Sequence, residues 1–262
     1  MSMPVYPQLG SGALSQFPVQ KNRWARTVVN RAADGSTIKL ADPAAEVTEW
    51  LLSYTDLSDE EAAALRAFFM AAEGTLNGFT FLDPAGNLLA WSDQLDNAVW
   101  QKDPLMSLTG GITDPRGGTR AWRLSNSGAA EQATGQTLAA PGEYHYCFSA
   151  YVRAATAASV GLRVSSQTAV RVVTSEWARI AWACSGDAEA TPVRFAMEIG
   201  AGDVVEVYGL QVEAQTAASG YKASARGGVY EDAHLGDDVL TITGTDVNRH
   251  SCTVKIIHAN HL

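Results

Sequence analysis

The sequence has 262 residues, of which 46% are hydrophobic and 18% charged, and its formal net charge is −9. This length suits one or two domains, and the hydrophobic fraction can fill a core, which excludes a disordered chain. The acidic balance argues against sequence-independent binding to nucleic acid or to an anionic membrane. No apolar stretch approaches the roughly 20 residues that span a bilayer, and residues 1–10 lack a signal-peptide pattern.

Extended segments are predicted in the first part of the chain. Residues 27–30 and 37–40 are strand-like and flank Asp34-Gly35, a dipeptide typical of hairpin turns. Residues 50–54 (Trp-Leu-Leu-Ser-Tyr) indicate a further strand, and residues 79–82 (Phe-Thr-Phe-Leu) indicate another. We therefore expect a hairpin followed by two more strands.

One helix is predicted between the last two of these strands. Ser58 and Glu61 have the spacing of a capping box, in which each residue satisfies a backbone N–H near the helix start. Gly74 is a suitable C-terminal stop. Hydrophobic side chains recur between these residues at helical spacing and define one apolar face: Ala62, Leu65, Phe68, Phe69 and Ala72.

The composition changes at residues 85–87, and from there to about residue 224 the chain is almost all strand and turn. Hydrophobic and polar residues alternate with a period of two in several short segments: 144–153, 160–164, 179–184 and 193–199. Repeated alternation of this kind is typical of a β-sandwich in which each sheet buries one face. The spacing suits a jelly roll or a related two-sheet fold.

Residues 225–262 are too few for a domain and contain one predicted hairpin, with strands at 239–243 and 251–257. An isolated hairpin is only marginally stable in water, so this one requires a partner sheet. We therefore predict that residues 1–86 and 225–262 form one discontinuous domain with a single α-helix, and that residues 87–224 are inserted into it as a second β-sandwich. The expected fold class is mainly β.

The order of motifs in residues 17–84 is specific: a strand hairpin, Trp-Leu-Leu-Ser-Tyr, a helix ending in Phe-Phe, then Phe-Thr-Phe-Leu-Asp-Pro. The residues that carry it are Phe17-Pro18, Trp24, Thr27, Asp34-Gly35, Pro43, Trp50, Tyr54, Leu57-Ser58, Glu61, Leu65, Phe68-Phe69, Gly74, Phe79, Phe81 and Asp83-Pro84. This pattern resembles the distal tail proteins of tailed phages and gene transfer agents. The resemblance implies a tail-tube-like β-sandwich closed by the strand pair at 239–243 and 251–257.

The middle segment carries a second pattern over residues 87–222. Its residues are Asn87-Leu88-Leu89, Ser92, Asn97, Trp100, Trp122-Arg123-Leu124, Tyr144, Phe148-Ser149, Tyr151-Val152, Trp177, Arg179, Tyr208-Gly209, Gln211-Val212-Glu213 and Tyr221. The pattern resembles the carbohydrate-binding-module-like sandwiches found in tail proteins. Because such modules do not share binding residues, the resemblance implies a fold and no sugar site by position.

Together the two resemblances imply a structural virion protein of the baseplate or tail tip, made and assembled in the host cytoplasm. The implied partners are copies of the chain itself in a sixfold ring, the tail tube and tail hub proteins, and host surface polysaccharide bound by an outward-facing module during adsorption. Neither a cofactor nor a specific nucleic-acid partner is implied. A ring built from one repeated chain needs a head-to-tail interface that closes.

Catalytic and metal-binding residues are not predicted. The histidines cluster near the C-terminus (His234, His250, His258 and His261), where surface positions in a short hairpin explain them better than a metal site or a general base. The acidic pairs Glu60-Glu61 and Asp237-Asp238 fit a helix start and a loop, without the opposed carboxylates of a glycoside hydrolase. Cys147, Cys184 and Cys252 are too few and too scattered for a disulfide framework or a zinc site, and predict reduced, partly buried thiols.

Aromatic and arginine side chains supply the docking candidates. Tyr144, Tyr146 and Trp182 share the phase of the aliphatic residues and are predicted to be core. Tyr151 falls on the opposite phase of its strand together with Arg153, and Arg163, Arg179 and Arg194 lie on the outward phase of theirs. If these strands share one sheet, the five residues Tyr151, Arg153, Arg163, Arg179 and Arg194 form a face for a glycan or a protein, with an ordinary solvated face as the alternative.

Other functions remain open from the sequence. The chain could be a stand-alone carbohydrate-binding protein, although the capped helix and the Phe-Thr-Phe-Leu-Asp-Pro strand are not typical of linkers. It could be a glycan-degrading enzyme, for which no acid–base pair is placed. It could also be another minor tail-tip component, such as a hub subunit.

Overall fold

A computed structural model describes residues 3–187 and 191–259 of the chain. Within these ranges the protein is mainly β with one helix, which confirms the predicted fold class. The chain forms two compact units: unit 1 comprises the residues up to Leu9, Ser15–Phe81 and those from Tyr230 onward, and unit 2 comprises Gly10–Leu14 and Leu82–Val229. No helix among the described residues is both long and apolar enough to cross a membrane.

The structure has the helix α1 (Asp59–Ala72) and a series of strands. In chain order the strands are β1 (Val19–Arg31), β2 (Thr37–Leu57), β3 (Phe79–Leu82), β4 (Gln101–Lys102), β5 (Met106–Ile112), β6 (Ala121–Asn126), β7 (Gln132–Leu138), β8 (His145–Arg153), β9 (Ala158–Val164), β10 (Gln167–Val173), β11 (Ala178–Ser185), β12 (Val193–Ile199), β13 (Val204–Glu213), β14 (Val229–Leu235), β15 (Ile242–Asp246) and β16 (Arg249–Ala259).

Unit 1 contains one antiparallel sheet, sheet I, with the order β1-β2-β16-β14-β3 and with β15 paired to β16. The predicted strands at 37–40 and 50–54 are parts of the single strand β2. A bulge allows this continuity: Trp24 pairs with Val47 whereas Arg26 pairs with Asp42, so residues 43–46 have no counterparts in the regular register. Pro43 is tolerated there because a bulge interrupts the hydrogen-bonded ladder.

The outer half of the β1–β2 hairpin projects as a ribbon, and we call residues 26–42 the arm. Strand β16 pairs with β2 only from Val47 to Leu57, so the arm has no third strand among those that the structure describes. Side chains from Gln20 to Ala41 are exposed, apart from the half-buried Val28. The arm therefore presents two open backbone edges and no buried core.

Of the two closing strands predicted for unit 1, one is confirmed and the other lies at a different position. Strand β16 confirms the strand predicted at 251–257 and pairs along β2, which supplies the partner sheet that this segment requires. The other predicted strand, at 239–243, is displaced: β15 begins at Ile242, because only residues 242–246 reach hydrogen-bonding distance of β16. Strand β14 was not predicted, since Tyr-Glu-Asp-Ala-His has no clear alternation.

The helix begins with the predicted capping box. The Ser58 hydroxyl accepts the backbone N–H of Glu61 at 3.1 Å, and the Glu61 carboxylate accepts the backbone N–H of Ser58 at 2.9 Å. The helix ends at Ala72, and Glu73 and Gly74 both adopt the left-handed conformation that terminates helices. Ala62, Leu65, Phe68 and Ala72 are buried as predicted, whereas Phe69 is only half-buried.

Replacing Ser58 by alanine is expected to lower the free energy of unfolding by about 1 kcal/mol, because it removes the acceptor for one helix N–H. Replacement by asparagine should retain most of the stability, since asparagine is also a good N-cap residue. Urea unfolding of the three proteins measures both effects. Equal losses for alanine and asparagine would contradict a capping role.

Aromatic rings form the core of unit 1. Tyr6 contacts Phe68 edge-on with ring centroids 5.2 Å apart, and Phe68 contacts Phe79 in the same way at 4.8 Å. Trp50, which is completely buried, meets Phe81 at 5.0 Å. These edge-to-face contacts add specific geometry to the burial of large apolar surfaces. The motif residues Trp50, Phe68, Phe79 and Phe81 are therefore core residues, whereas Phe17 and Trp24 are exposed.

Unit 2 is a β-sandwich of two antiparallel five-stranded sheets. Sheet II has the order β10-β9-β12-β7-β4 and sheet III has the order β11-β8-β13-β6-β5. The four segments with predicted alternation are confirmed as β8, β9, β11 and β12. Tyr146 and Phe148 of sheet III contact Phe195 of sheet II, with centroids 5.1 and 6.4 Å apart, so the two sheets pack face to face.

The two ends of unit 2 lie side by side. The backbone N–H of Asp83 donates to the carbonyl of Gly228 at 2.7 Å, and the N–H of Gly228 donates to the carbonyl of Leu88 at 3.3 Å. The unit boundaries at 81/82 and 229/230 are each five residues outside the predicted 86/87 and 224/225. The roles assigned to these segments from the sequence stay predictions.

Candidate functional site

The five predicted docking residues occupy two different sheets. Tyr151 and Arg153 lie on β8 and Arg179 on β11, all on the outer face of sheet III, whereas Arg163 lies on β9 and Arg194 on β12, in sheet II. Because the inner faces of the two sheets pack together, their outward residues point to opposite sides of the sandwich. The expectation of one shared face is therefore wrong for Arg163 and Arg194.

Arg163 belongs to a local ion pair on sheet II. Its Nη1 lies 2.7 Å from Oε1 of the buried Glu198, whose other carboxylate oxygen accepts the Thr168 hydroxyl at 3.1 Å. Arg194 is half-buried, and its Nε has no hydrogen-bond partner among the described residues. The outward position of Arg163 is therefore explained by its ion pair with Glu198 in the same sheet.

The outer face of sheet III brings Tyr151 and Arg179 together. The two residues are direct partners across the β8–β11 pair, and the Arg179 guanidinium lies 5.4 Å from the centre of the Tyr151 ring. Arg179 Nη2 donates to the buried Ser149 hydroxyl at 3.0 Å, while its Nε has no partner among the described residues. The Tyr151 ring is thus covered on one side by a cation.

A row of three charged residues crosses the same face. Glu206 on β13 lies between Arg153 on β8 and Arg123 on β6. Arg123 Nη2 contacts Glu206 Oε1 at 2.7 Å, and Arg153 Nε contacts Glu206 Oε2 at 2.7 Å. Burial raises the pKa of Glu206, but the hydrogen bonds from Arg123 and Arg153 outweigh it and hold that pKa below its usual range. Two guanidinium groups therefore share one carboxylate.

This charged row borders an open groove of about 580 Å³. The groove is lined by Arg123, Arg153 and Glu206 together with Ser125, Ala154, Ala155, Thr156, Ser175 and Val204. Trp177 contacts a residue of this lining: the Arg153 guanidinium lies 4.7 Å from the centre of the Trp177 ring. The volume lies within the range of small-molecule sites, and the lining combines charged groups with small polar and apolar side chains.

A cluster of tyrosines and arginines covers the rest of the face. Tyr208 and Tyr221 pack edge-on at 5.2 Å, and Arg120 donates to the Tyr208 hydroxyl at 3.1 Å. The Arg116 guanidinium lies about 6 Å from both tyrosine rings. Gly209 has a positive φ of 66°, and a Cβ atom there would lie only 3.0 Å from the Tyr221 ring, so both the backbone and the ring favour glycine in this bulge.

The loop that carries Arg116 and Arg120 is organised by one buried carboxylate. Asp114 Oδ1 accepts the backbone N–H groups of Arg116 at 2.8 Å and Gly118 at 3.2 Å, and Oδ2 accepts that of Arg120 at 3.2 Å. Burial raises the pKa of Asp114, yet these three backbone donors, together with the charge of Arg120, lower it overall. The carboxylate thereby holds both arginines near the tyrosines.

Alternation along the strands could have identified more of this face. Arg123 lies between the inward residues Trp122 and Leu124, and Glu206 lies between Val205 and Val207, which is the same pattern that singled out Tyr151. Tyr208 lies two residues after Glu206 in the same strand and therefore on the same outer face. Arg116, Arg120 and Tyr221 come from loops, where no periodic signal exists.

The three aromatic residues predicted to lie in the core differ in their burial. Tyr146 is completely buried and Tyr144 nearly so, which confirms them as core residues. Trp182 is only half-buried, because β11 is the edge strand of sheet III.

The residues considered for catalysis and metal binding have local structural partners. His250 Nε2 lies 2.6 Å from Asp59 Oδ1, and His234 Nδ1 lies 3.2 Å from the carbonyl of Thr75; His261 lies outside the described residues. Within 3–187 and 191–259 no group of three His, Cys, Asp or Glu side chains is placed to hold a metal ion.

The cysteine thiols are held in their protonated form. Burial raises the pKa of Cys147 and of Cys252 to about 11 and that of Cys184 to about 12. The thiolate is the reactive form of cysteine, so these side chains are poor nucleophiles near neutral pH. All three are free, and Cys147 and Cys252 are buried.

No family model and no curated protein matches the sequence. Among solved structures, a family 22 carbohydrate-binding module of Clostridium thermocellum Xyn10B is 16% identical with a TM-score of 0.44, over 53% of this chain and 99% of that chain. The CBM22-1 xylan-binding domain of Paenibacillus barcinonensis Xyn10C is 15% identical with a TM-score of 0.42, over 52% and 99%. The enzymatically active domain of bacteriophage CBA120 tailspike protein 4 is 14% identical with a TM-score of 0.37, over 51% of this chain and 22% of that chain. Similarities this low assign neither a ligand nor an activity to this chain.

Proposed function

We propose that this protein is a structural subunit of a phage-like tail tip, and that copies of it assemble through the arm into a closed ring between tail tube and tail hub. The single observation that carries the proposal is a two-stranded arm that pairs with no third strand within residues 3–187 and 191–259. An isolated two-stranded hairpin is marginal in water, so a ribbon of this length is stabilised when another surface covers it. The resemblance of the motif order in residues 17–84 to the distal tail proteins favours a second copy of the chain as that surface.

One face of the arm supports this assignment. Val28 pairs with Leu40, and Asn30 pairs with Ile38, so the side chains of Val28, Leu40 and Ile38 lie on the same side of the ribbon. Ile38 is 54% exposed and Leu40 is 52% exposed. Burying the exposed half of each side chain at an interface contributes about 1 kcal/mol. In a ring, every arm meets the same acceptor surface, and no arm remains uncovered.

In this proposal the two units have different roles. Unit 1 builds the ring at the tail tip of the virion, sixfold in copy number, after synthesis in the host cytoplasm. Unit 2 provides an outward docking module for host surface polysaccharide, with the outer face of sheet III as its binding surface. The protein carries out no reaction.

The arm's apolar face gives a direct test. Changing both Ile38 and Leu40 to aspartate should raise the concentration needed for ring assembly about a hundredfold, because two apolar contacts are lost and two charges are buried. The fold of the protomer should be retained, since both side chains are exposed. Light scattering after gel filtration and negative-stain electron microscopy measure the rings.

Lys39 offers a control of matched charge. Lys39→Glu changes the net charge by the same amount as the double aspartate variant, but Lys39 pairs with Val29 on the opposite face of the ribbon. Rings that form normally with Lys39→Glu and fail with the double variant support the arm interface. A parent protein that stays monomeric at every concentration, or a double variant that still forms rings, contradicts it.

The enzyme alternative has its own measurement. Incubation of the protein with host polysaccharide, followed by analysis of chain length, should detect no cleavage. Cleavage above the rate of a buffer control would contradict a purely structural role.

A further inference from the structure

We propose that the groove beside Arg123, Arg153 and Glu206 binds acidic saccharides, through contacts between their carboxylate groups and the two guanidinium groups. This inference rests on the docking role proposed for unit 2 and names the ligand class of that site. It does not depend on ring assembly.

The charge distribution of the outer face of sheet III favours an anion. Charged side chains joined to this face by hydrogen bonds, ion pairs or ring contacts include six cations and four carboxylates: Arg116, Arg120, Arg123, Arg153, Arg179 and Lys222, with Asp93, Asp114, Glu206 and Glu213. These ten contacting groups sum to +2, and at the groove itself Arg123, Arg153 and Glu206 sum to +1, on a chain whose formal net charge is −9. Cations are therefore concentrated where the candidate site lies.

The two groove arginines have unused donors. Arg153 contacts Glu206 through Nε alone, and its terminal NH₂ groups have no hydrogen-bond partner among the described residues. Arg123 contacts the same carboxylate through Nε and Nη2. Side-chain exposure is 47% for Arg123 and 32% for Arg153, so water and a ligand can reach both groups. A second carboxylate would complete a network in which two cations meet two anions.

Aromatic rings on the same face as the groove favour a saccharide as the ligand. Trp177 and Tyr151 are both half-buried, and they pack against the cluster that contains Tyr208 and Tyr221. Partly exposed rings offer the flat apolar surface on which the C–H face of a pyranose stacks. A nucleic acid is disfavoured because the rest of the chain is acidic and repels a polyphosphate.

Titration of the full-length protein with a galacturonate hexasaccharide and with its fully methyl-esterified form tests the ligand class. The two probes share one backbone and differ in charge. We expect the acid to bind at least about tenfold more tightly than the ester, and its affinity to fall as salt increases. A single-stranded oligothymidylate of similar charge is titrated in parallel.

Three variants locate the site. Arg153→Gln should weaken binding of the acid about tenfold, whereas Glu206→Gln should strengthen it, because both guanidinium groups then face the ligand. A misfolded protein cannot reproduce such a gain in affinity. Arg163→Gln breaks an arginine–glutamate contact of the same 2.7 Å length on sheet II and should leave binding unchanged. Thermal unfolding of each variant checks its fold.

The outcomes separate this inference from the proposed function. Equal binding of acid and ester, with no gain from Glu206→Gln, overturns the acidic ligand class and leaves the docking role standing. Absence of binding to either saccharide overturns both the ligand class and the docking role of unit 2, while ring formation is measured independently. Tighter binding of the oligothymidylate than of the acid overturns the saccharide assignment.

Discussion

Replacing Trp50 by alanine is expected to lower the free energy of unfolding by about 3–5 kcal/mol. The indole is completely buried, and it meets Phe81 with ring centroids 5.0 Å apart and Tyr230 at 4.6 Å. Alanine would leave a cavity between β2 and its neighbours that the rigid edge-to-face rings cannot fill by small shifts. Because Trp50 also lies in the strand that continues into the arm, the loss should also weaken assembly of the proposed ring. Denaturant unfolding followed by circular dichroism measures the effect.

Phenylalanine is the matched control for this position. The Trp50 indole N–H is buried and has no hydrogen-bond partner among the described residues, so Trp50→Phe removes no hydrogen bond. Phenylalanine retains most of the apolar volume, and the expected loss is below about 2 kcal/mol. If Trp50→Phe destabilised the protein as much as Trp50→Ala, a polar contact of the indole would be decisive and the packing argument would be wrong.

Replacing Asp114 by asparagine is expected to lower the free energy of unfolding by about 2–3 kcal/mol at pH 7. The side chain accepts three backbone N–H groups, and an amide has only one acceptor oxygen to offer them. Its NH₂ group would face the N–H of Arg120, a second donor. The loop that positions Arg116 and Arg120 over the tyrosines should therefore loosen.

The effect of this substitution should depend on pH in one direction. The pKa of Asp114 is lowered in the folded protein, so its carboxylate stabilises the fold above the unfolded pKa of about 4, and this contribution disappears as the pH falls further. The parent and Asp114→Asn should differ most at pH 7 and progressively less below about pH 4. Other carboxylates with lowered pKa values, such as Glu206, are present in both proteins and cancel in the comparison.

Asp56 supplies the control for the pH experiment. It contacts Arg249 at 3.1 Å, and both side chains are more than half exposed, so Asp56→Asn should change the free energy of unfolding by less than about 1 kcal/mol. A loss for Asp56→Asn as large as that for Asp114→Asn would show that general charge effects, and not the buried loop contacts, determine the result.

Local patterns predicted much of the fold because they depend on neighbouring residues. The capping box at Ser58 and Glu61, the hairpin turn at Asp34-Gly35 and the alternating strands of unit 2 follow from contacts within a few residues or across one turn. The continuity of β2 was missed because Pro43 is typical of a strand end, whereas here it lies in a bulge. Strand β14 lacks alternation, and its place depends on pairing with distant segments.

The candidate site was predicted in part for the same reason. Alternation distinguishes the outward from the inward residues of a strand, and it placed Tyr151, Arg153 and Arg179 correctly on an outer surface. It carries no information about which strands share a sheet, so Arg163 and Arg194 were grouped with them wrongly. The groove arises from strand order, because β13 lies between β8 and β6 and brings Glu206 between two arginines.

The hydrogen bond between Asp83 and Gly228 has a consequence for evolution. Where the chain enters and leaves unit 2, the two backbone segments lie close enough for a direct contact of 2.7 Å. A short turn would therefore bridge the gap if everything between them were deleted, and a different module with adjacent termini would fit the same position. Under the proposed function, recombination at these two points would replace the docking module in a single genetic event, while the sequence that builds unit 1 is inherited intact.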